Sequence, residues 1–245
     1  MNLNTSNIVT RKSEIKIYLQ DCIDAYYDKG LSACINQLEK QILSKKVKFP
    51  LLGFCGHEFY KIIKNNEHIE FCDNIEKLKA EGGNVVIGII LQDKLSENFN
   101  QSFDKATEYI SQANAWYVCD IIGERVFGYV LLTNPDKSLP IIKKLTKHPS
   151  HWVIRSLGAG IHYAIKKGLD KEHVISAFQL LLSMSNNTDK EIKQGVGWAA
   201  KTTAKFHPDI IEQFSEEVSN HQKIAAWFRT KIKIGLERNK YAQRN

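Results

Sequence analysis

Val85-Val86-Ile87-Gly88-Ile89-Ile90-Leu91 is the one stretch of this chain whose composition reads as a buried strand. Valine and isoleucine are branched at Cβ, which suits extended backbone on a pleated surface. A strand needs a partner for its backbone N–H and C=O groups, and no second run of this kind occurs in the 245 residues. The stretch is therefore read as a helix buried on all sides, which makes the chain all-α. Outward from it, apolar residues recur at three- and four-residue spacing through most segments, the period of an amphipathic helix. Ile15, Leu19, Cys22, Ile23 and Tyr26 form one stripe, and Leu31, Ile35, Leu38 and Ile42 a second. Val174, Ile175, Phe178, Leu181 and Leu182 form a third, and Ile224, Trp227, Phe228 and Ile232 close the chain.

Punctuation between these stripes is that of short helix connections. Pro50, Pro135, Pro149 and Pro208 stand where a helix would start or stop. Asp136 or Ser138 is expected to cap the helix after Asn134-Pro135, Ser150 the helix beginning His151-Trp152, and Asp189 the helix after Asn186-Asn187-Thr188. His207-Pro208-Asp209 separates two more. About a dozen helices result, too many for a four-helix bundle. Tryptophans at 116, 152, 198 and 227 are spaced by 36, 46 and 29 residues, loosely matching HEAT-like repeats of about 40–47 residues. The expected fold is a solenoid of HEAT-like antiparallel helix pairs whose concave face suits an extended partner. A single domain is expected over 13–238, between a flexible N-terminal segment 1–12 and a C-terminal tail 239–245.

Composition excludes several classes. The chain is 43% hydrophobic and 25% charged, ordinary for a soluble domain. No apolar run approaches the roughly 18–20 residues of a membrane span, and the polar start "MNLNTSNIVTRKSE" lacks a signal-peptide core. A cytoplasmic monomer is expected. Cysteines 22, 34, 55, 72 and 119 are odd in number and include no CxxC pair, so no disulfide framework is expected. Cys55-Gly56-His57 and the pair His148 and His151 lack a second ligand pair at zinc-site spacing; no metal and no cofactor are expected. The net charge of +7 is uneven. Residues 1–136 hold 15 Lys/Arg against 18 Asp/Glu, and residues 137–245 hold 19 against 9, so the surplus lies in the second half. A basic half of this kind suits a polyanion.

Three helices each pair a tryptophan with a charge on one face. "NAWYVCD" places Trp116 and Asp120 at i and i+4, Trp152 and Arg155 are i and i+3, and Trp198 and Lys201 are i and i+3, with Lys205 a further turn along. A lone tryptophan is more often core than functional, and Arg155 could simply neutralise Asp120. All three pairs would nevertheless point into one groove if the repeats stack.

These segments resemble the DNA alkylation repair proteins of the AlkD type. "KEIKQGVGWAAKTTAK" (190–205) is similar to the family's Gly-Trp helix, "NAWYVCD" (114–120) to its Trp-x-x-x-Asp helix, "HPSHWVIRSLGAG" (148–160) to its Trp-x-x-Arg helix, and "FPLLGF" (49–54) to its Phe-Pro-Leu-Gly stretch. The resemblance spans about residues 15–235. It implies a right-handed HEAT-like superhelix acting as a DNA glycosylase on cationic purines of the 3-methyladenine and 7-methylguanine type, working on alkylated double-stranded DNA from the backbone side without a deep base pocket. It further implies that Asp120 is the catalytic carboxylate, that Trp116 and Trp198 flank the lesion's sugar and backbone, and that Arg155 binds phosphate beside the acid. Lys193, Lys201 and Lys205 match positions that approach the DNA backbone, and Trp152 shares the DNA-binding helix of Arg155. The chain departs from the pattern after Gly53, where a proline is absent and Lys61 is the nearest base. It departs again at Lys201, where arginine is common, and at Gln194. A non-catalytic HEAT-like module that binds DNA, or a protein-interaction scaffold, stays open as an alternative; retention of Asp120 favours the enzyme.

Overall fold

The computed structural model describes residues 8–240. Most of the expected flexible segment (1–7) and of the expected tail (241–245) lies outside the described residues. Helices dominate, as the periodicity predicts. The exception is a two-stranded parallel ribbon, β1 (Ile8–Val9) with β2 (Lys46–Val47). The described residues divide into two compact units, the first ending at Phe99 and the second beginning at Asn100.

The first unit holds α1 (Lys12–Lys29), α2 (Leu31–Leu38), α3 (Phe49–Ile62), α4 (His68–Lys77) and α5 (Glu81–Lys94). Gly30 joins α1 to α2 at φ +79°, a conformation glycine adopts without a Cβ penalty. The stretch from Val85 to Leu91 lies in α5, and every one of its residues is buried. Helix α3 packs against it so closely that a Cβ on Gly56 would sit 2.8 Å from Ile89. The energetics favour this outcome. A β-branched residue gives up at most about 0.7 kcal/mol of helix propensity, whereas burying a Val or Ile side chain yields about 1.5–3 kcal/mol.

The second unit holds α6 (Phe99–Ser111), α7 (Trp116–Gly123), α8 (Tyr129–Thr133), α9 (Pro135–Leu145), α10 (His151–Lys166), α11 (Lys171–Ser183), α12 (Lys190–Phe206), α13 (Pro208–Gln213), α14 (Ser215–Ser219) and α15 (Ala226–Glu237). A π-helical turn, Glu124–Gly128, joins α7 to α8. Helix α10 packs between the α7–α8 stretch and α12, and α12 packs in turn on α15. Helices α9, α11 and α13 back this row, giving the antiparallel helix pairs expected of HEAT-like repeats.

The capping expectations divide. Asp189 caps α12, its carboxylate accepting from the Glu191 and Ile192 amides at 2.8 and 3.0 Å. Neither Asp136 nor Ser138 caps α9. Pro135 starts that helix at its first turn, where a proline loses no hydrogen bond, so the N-cap falls on Asn134. The Ser138 hydroxyl donates to the Pro135 carbonyl instead. Ser150 holds the N-cap position of α10 but makes no side-chain cap bond; its hydroxyl approaches the Ser111 carbonyl at 3.5 Å. No helix among the described residues is long and apolar enough to cross a membrane.

Candidate functional site

Glycines bring the charged residues of α7, α10 and α12 together. A Cβ built on Gly158 of α10 would lie 2.1 Å from the Gly195 backbone of α12, and one on Gly195 would lie 2.2 Å from the Arg155 carbonyl. The two helices therefore touch backbone to backbone, as only glycine permits. Gly123 does the same between α7 and α10, where a Cβ would meet Ser156 at 2.9 Å. Side chains one turn from these contacts then fall within hydrogen-bond reach.

Arg155 occupies the junction. Its Nε and Nη2 donate to the two oxygens of Asp120 at 2.9 and 2.7 Å, and its Nη1 donates to Glu191 Oε2 at 2.7 Å. The first pair is the planar bidentate fork that arginine makes with a carboxylate. Burial alone would lower the Arg155 pKa, but the hydrogen bonds and charge of Asp120, joined by those of Glu191, raise it. The guanidinium stays charged. It also lies 5.7 Å from the ring centre of Trp116, within cation–π range. Trp116 is the first residue of α7 and stands 56% exposed, while Asp120 one turn on is buried. Two carboxylates and one guanidinium leave this cluster with a formal charge of −1.

Glu191 is absent from the sequence reading, which has Asp120 as the only acid of the set. Its one sequence signal is its place seven residues before Trp198, two turns along the same helix face. The π turn after Asp120 is a second feature that periodicity missed; such turns recur at functional sites. Glu124 opens it, and burial raises its pKa, an effect that Arg125 offsets and Asp120 adds to.

Trp198 belongs to a neighbouring cluster, roughly 10 Å further along α12 at 1.5 Å per residue. It is half-buried and stacks on His162 of α10, with ring centres 3.9 Å apart at 27°. Among the described residues it forms no ring contact with Trp116. His162 Nδ1 lies 2.6 Å from Thr202 Oγ1, and the Thr202 hydroxyl lies 3.0 Å from the Trp198 carbonyl. Burial, with Lys166 and Lys201 nearby, lowers the His162 pKa to about 3, so the ring is neutral. Burial also lowers the Lys201 pKa, reinforced by Arg238 and Lys231. Lys193 and Lys201 are half-buried, and neither pairs with a carboxylate among the described residues. The Lys205 ammonium lies 4.8 Å from the Phe206 ring centre. Trp152 contacts His151 edge-on at 4.6 Å. In the other unit, Lys61 pairs with Glu58 at 2.8 Å. The five cysteines are buried, and no group of three His, Cys, Asp or Glu residues fit to hold a metal occurs among the described residues.

Comparison with known proteins bears on the family and the fold. A family model described as DNA alkylation repair enzyme matches residues 47–231. The crystal structure of AlkD2 from Streptococcus mutans superposes with a TM-score of 0.68 at 16% identity, covering 84% of this chain and 97% of that one. An engineered protein aligns at a TM-score of 0.45 and 10% identity over 91% of this chain and 97% of its own. No curated protein matches significantly.

Proposed function

The chain belongs to the DNA alkylation repair enzyme family, and on that premise we propose that it is a DNA glycosylase that excises cationic purines of the 3-methyladenine and 7-methylguanine type. The observation that carries this reading is the Asp120–Arg155–Glu191 bridge of net charge −1, buried at Asp120 and Arg155, beside an exposed tryptophan.

Alkylation at N3 or N7 already makes the base a good leaving group. The glycosidic C1′–N bond breaks with its electron pair going to the purine, which departs neutral, and C1′ becomes part of an oxocarbenium ion. What the site must supply is negative charge at that sugar and a water to trap it. Asp120 supplies the charge and holds a solvent water in place. Its oxygens each keep a further lone pair after accepting from Arg155, so one can orient the water and take its proton. Arg155 fixes the carboxylate's orientation, and Glu191 balances the positive charge that Arg155 brings. Trp116 offers a face to the cationic nucleotide, worth about 0.5–2 kcal/mol according to its desolvation.

Lys193, Lys201 and Lys205, with Trp152 and Trp198 alongside, serve the DNA backbone in this reading. Binding then falls steeply with salt, each phosphate contact adding about 0.9 to the slope of log affinity against log salt. The protein acts as a monomer in the cytoplasm.

The test is release of 7-methylguanine from methylated duplex DNA by wild type and by Asp120→Asn. Wild type is expected to release the base and the variant to be slower by at least about 100-fold, the usual cost of losing a transition-state electrostatic group. No release by wild type at high concentration removes the enzyme reading in favour of a non-catalytic DNA-binding module. Equal rates remove the role given to Asp120.

A further inference from the structure

Two turns beyond Arg155 on α10 and two turns beyond Glu191 on α12, a pocket of about 250 Å³ lies apart from the Asp120–Arg155–Glu191 cluster. Four cations line it, Lys166, Lys201, Lys205 and Arg238, around the stacked rings of Trp198 and His162, and no carboxylate is among its lining residues.

Hydrogen-bond accounting defines the His162 edge. A threonine hydroxyl has one hydrogen to give, and that of Thr202 goes to the Trp198 carbonyl. Thr202 Oγ1 must then accept from His162 Nδ1–H. The neutral ring is thereby the Nδ1–H tautomer, and Nε2 keeps an open lone pair, with no hydrogen-bond partner among the described residues. His162 is only 8% exposed, so this acceptor sits on a largely desolvated ring.

We propose that this pocket binds a phosphomonoester, the terminal phosphate of a nucleic-acid strand or of a free nucleotide. A phosphodiester of continuous DNA brings one negative charge and no hydrogen to donate. A monoester has a second ionisation near pKa 6. It therefore brings up to two charges to the four cations, and in its singly charged form a P–OH that can donate to His162 Nε2. A strand end enters a pocket of this size, whereas a continuous backbone must also leave it. The indole of Trp198 gives the attached sugar a face to rest on.

The indole N–H resonance of Trp198, assigned by its loss in Trp198→Phe, reports occupancy directly. Inorganic phosphate is expected to shift it saturably, and dimethyl phosphate to need at least about tenfold more ligand. The double variant Lys166→Gln/Arg238→Gln, which changes two exposed side chains, is expected to weaken phosphate binding by about tenfold or more. Titrations with adenosine 5′-monophosphate and with duplexes bearing a 5′-phosphate or a 5′-hydroxyl then separate the two sources, since only a strand-end site prefers the phosphorylated duplex over both other probes. Equal binding of dimethyl phosphate and phosphate, no shift at Trp198, or wild-type binding by the double variant would each overturn the proposal. The site shares Trp198, Lys201 and Lys205 with the DNA-backbone surface of the proposed function, but none of these readouts measures base release, so failure of this site and failure of the glycosylase reading are distinguishable.

Discussion

Glu191→Gln isolates the charge balance at Asp120 from its geometry. The substitution keeps an oxygen that can accept from Arg155 Nη1, now at 2.7 Å from Glu191 Oε2, but removes one of the two negative charges. The cluster goes from −1 to 0. With the reacting sugar on the order of 8 Å from Glu191 and an effective dielectric of about 20, the lost charge is worth about 2 kcal/mol against a developing oxocarbenium. That corresponds to roughly 30-fold in the chemical step. Because Glu191 is about a quarter exposed and the hydrogen bond survives, the stability cost is expected to stay near 1 kcal/mol. Binding is expected to move the other way: removing an acid near the lysines proposed to contact DNA leaves affinity for unmodified duplex unchanged or raised. Single-turnover release of 7-methylguanine gives the rate, and titration of unmodified duplex gives the affinity. A rate within twofold of wild type refutes the charge-balance argument. A parallel loss of rate and affinity refutes it as well, because it would mean that Glu191 merely holds the helices in place.

Two further outcomes follow from the packing and the buried ring. Gly195→Ala forces a Cβ to within 2.2 Å of the Arg155 carbonyl, and backbone cannot yield cheaply; a loss of about 3 kcal/mol is expected, lowering Tm by about 6–12 °C. A Tm within 2 °C of wild type would show that α10 and α12 separate freely. His162 makes stability depend on pH with a defined sign. Its folded pKa is lowered by burial to about 3, so between pH 3 and about 6.5 the unfolded chain binds a proton that the folded chain does not. The associated stability is present above pH 6.5 and is lost as pH falls through this window. Between pH 7.5 and 5.5 the loss from this group is about 1.4 kcal/mol. Urea unfolding of His162→Gln should show a pH dependence smaller by that amount, and an identical dependence would mean that the ring is protonated in the fold.

Local rules made much of this protein legible without coordinates. The run from Val85 to Leu91 has no second strand to pair with, and α5 is the helix that this predicts. Asp189 precedes a helical period and caps it, since an N-cap is a contact between residues two or three apart. Trp116 and Asp120 share a face because four residues make about one turn. Hydrophobic periodicity could not reveal the π turn at Glu124–Gly128, which inserts one residue into a period that still looks apolar.

The site itself needed tertiary structure. Asp120, Arg155 and Glu191 are 35 and 36 residues apart, and helical spacing says nothing about which turn of one helix meets which turn of the next. Backbone contact between Gly158 and Gly195 decides that register, and with it the pairing of Glu191 rather than a lysine to Arg155. The same register stacks His162 on Trp198 and gathers four cations around them. The sequence by itself determined which residues each helix face carries, because that depends on a rise and rotation common to all helices. Only the tertiary structure decided which faces meet, because that depends on where two helices can approach without a Cβ between them.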